Sequence, residues 1–273
     1  MTTQKEKSER FVRLHAGPRC FLIPNPWDAG SARLLEQMGF EALATTSAGF
    51  AFSRGKPDMG VTREEKMLHL EELCAATSLP VSADLQNGFG DAPKDAAETI
   101  TLAARAGAVG GSIEDSTGRL EDAIYDIGLA RERVQAAVEA AKGVGFKFML
   151  TARAENFLWG RNDLADTIRR LQAYQEAGAD VLFAPGLKTL EDMRTVIRSV
   201  DRPVNVIMGA PGQGITRAQL EEIGARRISV GGSLSRVAYG ALLAAGKEIL
   251  EHGTFGFTAG VPSTKHFNDI FKD

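Results

Sequence analysis

A short unit recurs along the chain: a glycine, then a run of apolar residues, then a polar or glycine-rich cluster. It appears at Gly39 (GFEALATTS), Gly107 (GAVGGSIED), Gly145 (GFKFMLTAR), Gly178 (GADVLFAPG) and Gly224 (GARRISVGG). Each glycine closes a stretch with helical patterning, where it fits the left-handed position just past a helix end. The apolar run lacks in–out alternation, which is how a strand covered by helices on both faces reads. Strands of equal length that start from equal caps present their polar clusters at one height.

Three further apolar runs, Cys20 to Pro24, Pro80 to Asp84 and Pro203 to Met208, bring the predicted strands to eight. Helical patterns separate them over residues 28–37, 63–76, 94–106, 128–141, 164–176 and 189–200, with Asp28 as an N-cap. Eight strand–helix alternations without a linker-like stretch predict a closed parallel (β/α)8 TIM barrel rather than an open doubly wound sheet. The 273-residue length suits one such domain, since roughly 250 residues are typical. The expected layout is an N-terminal helix, a barrel over about residues 20–252, and a C-terminal helical extension over 253–273.

Composition removes several classes of function. A net charge of −3 argues against a nucleic-acid surface, which requires a basic face. No apolar run approaches the roughly 20 residues that span a bilayer. The charged start, residues 1–13, lacks the apolar core of a signal peptide, so a cytoplasmic protein is expected. The two cysteines, Cys20 and Cys74, sit in no metal-spaced pattern and read as buried small hydrophobes.

In a TIM barrel the active site lies at the C-terminal strand ends. The third strand ends in SADLQNGFGD, placing Asp84 at the mouth and Gln86 two residues on, on the same side of an extended chain. The fourth ends in SIED, which brings Glu114 and Asp115 to the strand end next door. Hard oxygen ligands from two neighbouring strands suit Mg2+; a helix-capping role is the plainer reading of Asp84 and Asp115. Arg153, in TARAE, follows apolar residues into this acidic mouth, to balance a carboxylate or a developing oxyanion. Ser47, Ala48 and Gly49, in TTSAGF, let backbone N–H groups approach an anion, or form a plain turn. Trp27 follows the first strand as a pocket wall or a core residue. The four histidines lie away from every predicted strand end.

NPWDAGSARLLEQMG, TTSAGF, PDMG, SADLQNGFGD, SIED and TAR fall in one order along residues 20–155. In that order the chain resembles the isocitrate lyase/phosphoenolpyruvate phosphonomutase superfamily. The resemblance implies that Asp84 binds the metal, with Gln86 in place of the usual aspartate partner. It implies further that Glu114 holds metal-bound water, that Asp58 flanks that water shell, and that Ser47, Ala48 and Gly49 cradle a carboxylate. Arg153 resembles the arginine on the substrate oxygen. The implied metal is Mg2+, with Mn2+ as a substitute. The implied substrate is a small 2-oxo carboxylate.

Three departures narrow the activity. Gln86 is neutral where the family carries aspartate. Residues 116–126, STGRLEDAIYD, contain no Cys, His or Lys, so the thiol acid/base of isocitrate-type lyases is missing. Pro185 stands where relatives often place Glu or His. The reading that results is a Mg2+-dependent lyase or decarboxylase acting at C3 of a 2-oxo or 2-hydroxy carboxylate, with Arg153 and Glu114 catalytic. The alternatives are a phosphonopyruvate hydrolase or phosphonomutase-like enzyme, a phosphate-binding barrel isomerase or synthase using residues 209–214 and 231–233, and a non-catalytic 2-oxo acid binder. The aromatic tail, with Phe255, Phe257, Phe267 and Phe271, is expected at the interface of a homodimer or homotetramer.

Overall fold

The five repeat glycines all adopt positive φ: Gly39 90°, Gly107 104°, Gly145 84°, Gly178 102° and Gly224 94°. Each lets the chain leave a helix and enter the next strand within a few residues. A computed structural model describes residues 2–210, 212 and 214–272. It begins with α1 (Gln4–Ala16), β1 (Phe21–Ile23), α2 (Ala29–Gln37), β2 (Leu43–Ala44), α3 (Ser47–Ser53), α4 (Arg63–Ala75) and β3 (Val81–Asp84). The middle comprises α5 (Pro93–Arg105), β4 (Gly110–Glu114), α6 (Ile127–Lys142), β5 (Met149–Arg153), α7 (Leu164–Glu176) and β6 (Val181–Phe183). It ends with α8 (Leu190–Arg198), β7 (Val204–Ile207), α9 (Arg217–Glu222), β8 (Arg227–Ser229), α10 (Ser233–His252) and α11 (Thr264–Phe271).

All eight strands are parallel, in the order β1-β8-β7-β6-β5-β4-β3-β2. Ala44 N–H donates to Pro24 C=O at 3.0 Å and joins β2 to β1, so the sheet closes into the expected (β/α)8 barrel. Register matters for chemistry at the mouth. Asp84 pairs with Ser112 and Glu114 with Arg153, which puts the ends of β3, β4 and β5 side by side.

The main core lies between the sheet and its helices, with Leu85, Ile100, Ala137, Leu150, Leu171 and Leu182 fully buried. Helix α1 plugs the opposite end of the barrel, packing Phe11 against Phe21, Ile23 and Val109. Two features were not anticipated. TTSAGF opens a short helix, α3, capped by Thr46, rather than a turn. Helix α10 runs 20 residues with only Ser235 buried, so the eighth helix does not close over the barrel. No helix among the described residues is long and apolar enough to cross a membrane.

His15 joins the plug to the barrel interior. Its Nδ1 bonds the Phe11 carbonyl at 2.9 Å, and its Nε2 meets Arg227 Nη1 at 3.4 Å. Burial, then the Arg227 charge, pull its pKa from 6.5 to about 3. The unfolded chain therefore takes up a proton that the folded one refuses between these values. Stability from this group is present above pH 6.5 and is lost as pH falls towards 3, at up to about 1.4 kcal/mol per pH unit. His15→Asn keeps a donor and an acceptor but does not titrate. Denaturant unfolding between pH 6 and 4 should show a shallower pH slope for this variant; equal slopes would refute the assignment.

Candidate active site

A polar cavity of about 180 Å3 opens at the C-terminal strand ends, lined by Ser47, Ala48, Asp58, Asp84, Ser112 and Arg153, with Asn205, Arg227 and Ser229 deeper inside. Asp84 closes β3, and its Oδ2 accepts from Ser47 N–H at 3.0 Å. Its Oδ1 accepts from Arg153 at 3.1 Å. Below it, Thr45 Oγ1 accepts from both Asp84 N–H and Lys66 Nζ, each at 2.9 Å. Burial pushes the Asp84 carboxyl up, but Arg153, then Lys66 and the amides, hold it below the ordinary carboxylate range.

Arg153 is the hub of the mouth. Its Nη1 lies 3.1 Å from Asp84 Oδ1 and 3.2 Å from Glu114 Oε2, and its Nε donates to Glu155 Oε1 at 2.9 Å. Its guanidinium also sits over the Phe183 ring, 5.1 Å from the centroid. Three carboxylates, Asp84, Glu114 and Glu155, therefore share one guanidinium, and Asp58 lines the same cavity. Burial and mutual repulsion push Glu114 well above its usual pKa despite Arg153. Burial, then Asp115, raise Glu155 to about 7 against the same guanidinium. Asp58 is exposed, so solvent damps the upward push from partial burial and from Asp84.

Several anticipated positions differ. Gln86 adopts φ 52°, so the chain is no longer extended after Asp84 and the same-side expectation fails. Its buried side chain lines a neighbouring cavity with Met59, Phe89 and Gly118, and Nε2 has no partner there. Met59 and Phe89 also have positive φ, which clusters the non-glycine left-handed residues beside the mouth. Asp115 caps no helix and does not reach the mouth. It alternates outward from Glu114 and accepts from Tyr174 Oη at 2.6 Å and Arg170 at 3.2 Å, tying α7 to β4. Trp27 does not line the polar cavity; its carbonyl bonds His69 Nε2 at 2.9 Å.

The Ser47–Ala48–Gly49 turn is only partly free to cradle an anion. Ser47 N–H is taken by Asp84 and Gly49 N–H by Thr46 Oγ1, leaving Ala48 N–H unbonded among the described residues. Gly49 is required by packing instead: a Cβ there would stand 2.6 Å from Thr46 Cγ2 and 3.0 Å from Trp27 Cβ. The glycine-rich loop after β8 is also committed, because Val230 and Gly231 N–H both donate to Asn25 Oδ1 at 2.9 Å. Of the loop after β7, Pro211 and Gln213 lie outside the described residues.

Sequence reasoning missed three supporting groups. Lys66 is fully buried on α4 behind Asp84, and burial pulls its pKa down to about 8. Glu155, two residues past the end of β5, is the third carboxylate on the Arg153 guanidinium. Arg133 of α6 donates to the carbonyls of Asn87, Gly90, Asp91 and Ala92, pinning the loop that follows Asp84. Neither cysteine serves the mouth. Cys20 precedes β1 at the far end of the barrel, and burial pushes the two thiols up to about 11 for Cys20 and about 12 for Cys74.

The donor set fits a hard divalent cation. No three acidic side chains form a ready-made cage among the described residues. One direct carboxylate, water and substrate oxygens are the habit of Mg2+. The carboxylates crowded on Arg153 and the orphaned Gln86 amide, whose oxygen and nitrogen exchange by a half-turn, are groups that a hydrated cation would satisfy.

The family model of phosphoenolpyruvate phosphomutase matches residues 11–250. A solved structure from Burkholderia cenocepacia J2315, provisionally named a lyase/mutase, is 54% identical with a TM-score of 0.96, covering 99% of this chain and 97% of that one. A 2-methylisocitrate lyase of Halalkalibacterium halodurans is 31% identical over 208 residues, 74% of this chain and 67% of the relative. An oxaloacetate decarboxylase of Bradyrhizobium diazoefficiens is 31% identical over 218 residues, 76% of this chain and 72% of the relative.

Proposed function

Because the chain belongs to the phosphoenolpyruvate phosphomutase/isocitrate lyase superfamily and is a carbon–carbon lyase, we propose that it cleaves a bond at C3 of a small 2-oxo or 2-hydroxy carboxylate with the help of Mg2+. The observation that carries this reading is Arg153, shared among three carboxylates at the mouth of the polar cavity. Asp84 would hold the cation directly, with Glu114, Asp58 and the Gln86 amide reaching it through water. When bound, Mg2+ supplies a Lewis acid for the negative charge that develops on the 2-oxo oxygen.

The protein's own groups do the rest. Ala48 N–H and the Ser47 side chain receive the substrate carboxylate at the start of α3. Arg153 lies beside that position and stabilises charge on the substrate oxygen as the C3 bond breaks. Glu114, whose carboxyl burial pushes well above the ordinary range, can return a proton to C3. Without a thiol near the mouth, decarboxylation or hydrolysis suits the site better than isocitrate-type cleavage, since decarboxylation needs an electron sink but no initiating base. A phosphate-binding isomerase is less well supported, because Asn25 already occupies the amides of Val230 and Gly231.

The test is Mg2+-dependent turnover of oxaloacetate, 2-methylisocitrate and phosphonopyruvate. Turnover should be greatest with oxaloacetate and should vanish with EDTA. No turnover of any of the three would reject the lyase reading, and oxalate binding without turnover would leave a binding protein.

We also propose that subunits associate through the C-terminal region. Leu243 is 74% and Leu250 88% exposed on α10, with Val237 and Leu242 on the same helix. An apolar surface of this kind is unusual on a monomer. The tail is partly used within the subunit: Phe271 lies under Arg33 of α2, 5.6 Å from ring centroid to guanidinium, while Phe255 stays exposed. Sedimentation should give a homodimer or homotetramer, and Leu243→Glu with Leu250→Glu should give monomers. A monomeric parent would reject the proposal.

A further inference from the structure

Below the acidic mouth the chemistry of the polar cavity changes. Ser82, Ser112 and Thr151 stand two residues before Asp84, Glu114 and Arg153 on their own strands. They therefore face the same interior, about 6.6 Å deeper along each strand. Arg227 of β8 reaches across the interior at this depth and donates from Nη2 to Thr151 Oγ1 of β5 at 3.0 Å. Its Nε donates to Asn205 Oδ1 of β7 at 2.8 Å, and its Nη1 meets His15 Nε2 at 3.4 Å. All three partners are uncharged. His15 gives its Nδ1 proton to the Phe11 carbonyl, which leaves Nε2 as an acceptor.

Arg227 is buried, and among the described residues no carboxylate lies within ion-pair distance of it. Burial, then repulsion by Arg153, pull its pKa down to about 9, and no acid acts the other way. Lys66, equally buried, has Asp84 to support its charge. An isolated charge at such a depth is rare, because buried ions are ordinarily paired. Around Arg227 the floor of the cavity presents hydroxyls rather than acids. Ser82 and Ser112 line it with no side-chain partner among the described residues, while Ser229 Oγ accepts from Asn205 Nδ2 at 3.0 Å and keeps its own proton to give. Nη1 and Nη2 of Arg227 each retain one N–H without a partner among the described residues. Water would satisfy the hydroxyls and leave the charge unmet, whereas a monoanion meets both. A monatomic ion needs little more than the roughly 10–15 Å3 that admits one water, a small part of the cavity's 180 Å3.

We propose that the cavity floor at Arg227, Ser82, Ser112 and Ser229 is a binding site for a small inorganic monoanion of the halide class, separate from the substrate head at the mouth. The ion neutralises Arg227 and removes its repulsion of Arg153. It also ties β3 and β4 to β8 through the barrel interior. This site does not depend on which reaction the mouth carries out.

Thermal unfolding of the full chain without Mg2+ reads the site, with sodium chloride or bromide compared against sodium gluconate at equal ionic strength. Gluconate is too large for the floor, so the comparison removes general salt effects. The melting temperature should rise saturably with halide, by about 3–6 °C at ten times the dissociation constant. Ser112→Ala should weaken halide binding about tenfold, the scale of one hydrogen bond to a charged group. Arg227→Met should remove the halide dependence altogether. Crystals of the parent soaked in sodium bromide should show anomalous density beside Arg227 and Ser112, a result that needs no variant to fold. A melting temperature indifferent to halide overturns the site, as does a halide effect that survives Ser112→Ala unchanged. Bromide found elsewhere, or bound at crystal concentration only, overturns it too. Calorimetry with Mg2+ and oxalate should give the same affinity in chloride as in gluconate. Competition between halide and oxalate would make the floor part of the head's own pocket and overturn a separate ion. If oxalate does not bind at all, the lyase reading fails, and melting and diffraction still decide the floor.

Discussion

Asp84→Ala should abolish Mg2+-dependent binding of oxalate and lower turnover about a thousandfold, equivalent to roughly 4 kcal/mol of transition-state stabilisation. Asp84 is the acid best held in its ionised form. Ser47 N–H and Arg153 bond its two oxygens, and Lys66 reaches the Thr45 hydroxyl that bonds its backbone N–H. Glu114 and Glu155 sit in the same cluster with carboxyls pushed upward, so neither replaces it as an anionic ligand. Folding should survive the change, because Arg153 keeps Glu114 and Glu155 as partners and one repelling charge is gone. Asp84→Asn, which keeps shape and loses charge, should behave like the alanine variant. Gln86→Asp should act in the opposite direction and tighten Mg2+ about tenfold, provided that the residue keeps its left-handed backbone. Calorimetry with Mg2+ and oxalate checks all three, and an Asp84→Ala protein that binds both like the parent would place the metal elsewhere.

The barrel was legible in the sequence because its punctuation is local. A glycine that must leave a helix at positive φ, followed by an unalternating apolar run, needs no knowledge of distant contacts. Asp84, Glu114 and Arg153 were legible for the same reason, as each is the last residue of its strand. The errors arise where a local rule was pushed too far or not far enough. Strand periodicity was carried past Asp84 to Gln86, although the strand had ended and the backbone turned left-handed. The same periodicity was not applied to Glu114 and Asp115, which as adjacent residues face opposite ways, one to the mouth and one to Arg170 and Tyr174. Lys66 and Arg133 were illegible in principle. Their roles come from helices meeting a strand end and a loop far away in the chain, and a basic residue in an amphipathic helix ordinarily marks a solvated face. Helix α3 was hidden by its own residues, since Ser47 and Gly49 are weak helix formers in so short a run and its cap lacks an acid three residues on.

Removing the hub of the mouth should be costly in a way that depends on pH. In the parent, Glu155 keeps its proton up to about 7, above the 4.5 of an ordinary glutamate. The folded state then holds more protons than the unfolded one, so the contribution of this group is present at low pH and is lost as pH rises through 7. Arg153 limits that loss by attracting the carboxylates. Arg153→Met leaves Asp84, Glu114 and Glu155 buried without their shared cation, and stranding buried charge costs about 3–5 kcal/mol. At pH 5 Glu114 and Glu155 escape the penalty by staying protonated, so the melting temperatures of variant and parent should lie close together there. At pH 8 the variant should fall well below the parent. Turnover should drop about a hundredfold to a thousandfold, the scale for losing one charge-stabilising group. Arg153→Lys separates charge from geometry. An ammonium restores most of the stability, but its single nitrogen cannot hold Asp84, Glu114 and Glu155 together as the Nη1 and Nε of the guanidinium do. Stability should therefore recover further than turnover does. Equal destabilisation of Arg153→Met at pH 5 and pH 8 would show that the three carboxylates do not titrate as a group, and full turnover in Arg153→Lys would show that the charge alone suffices.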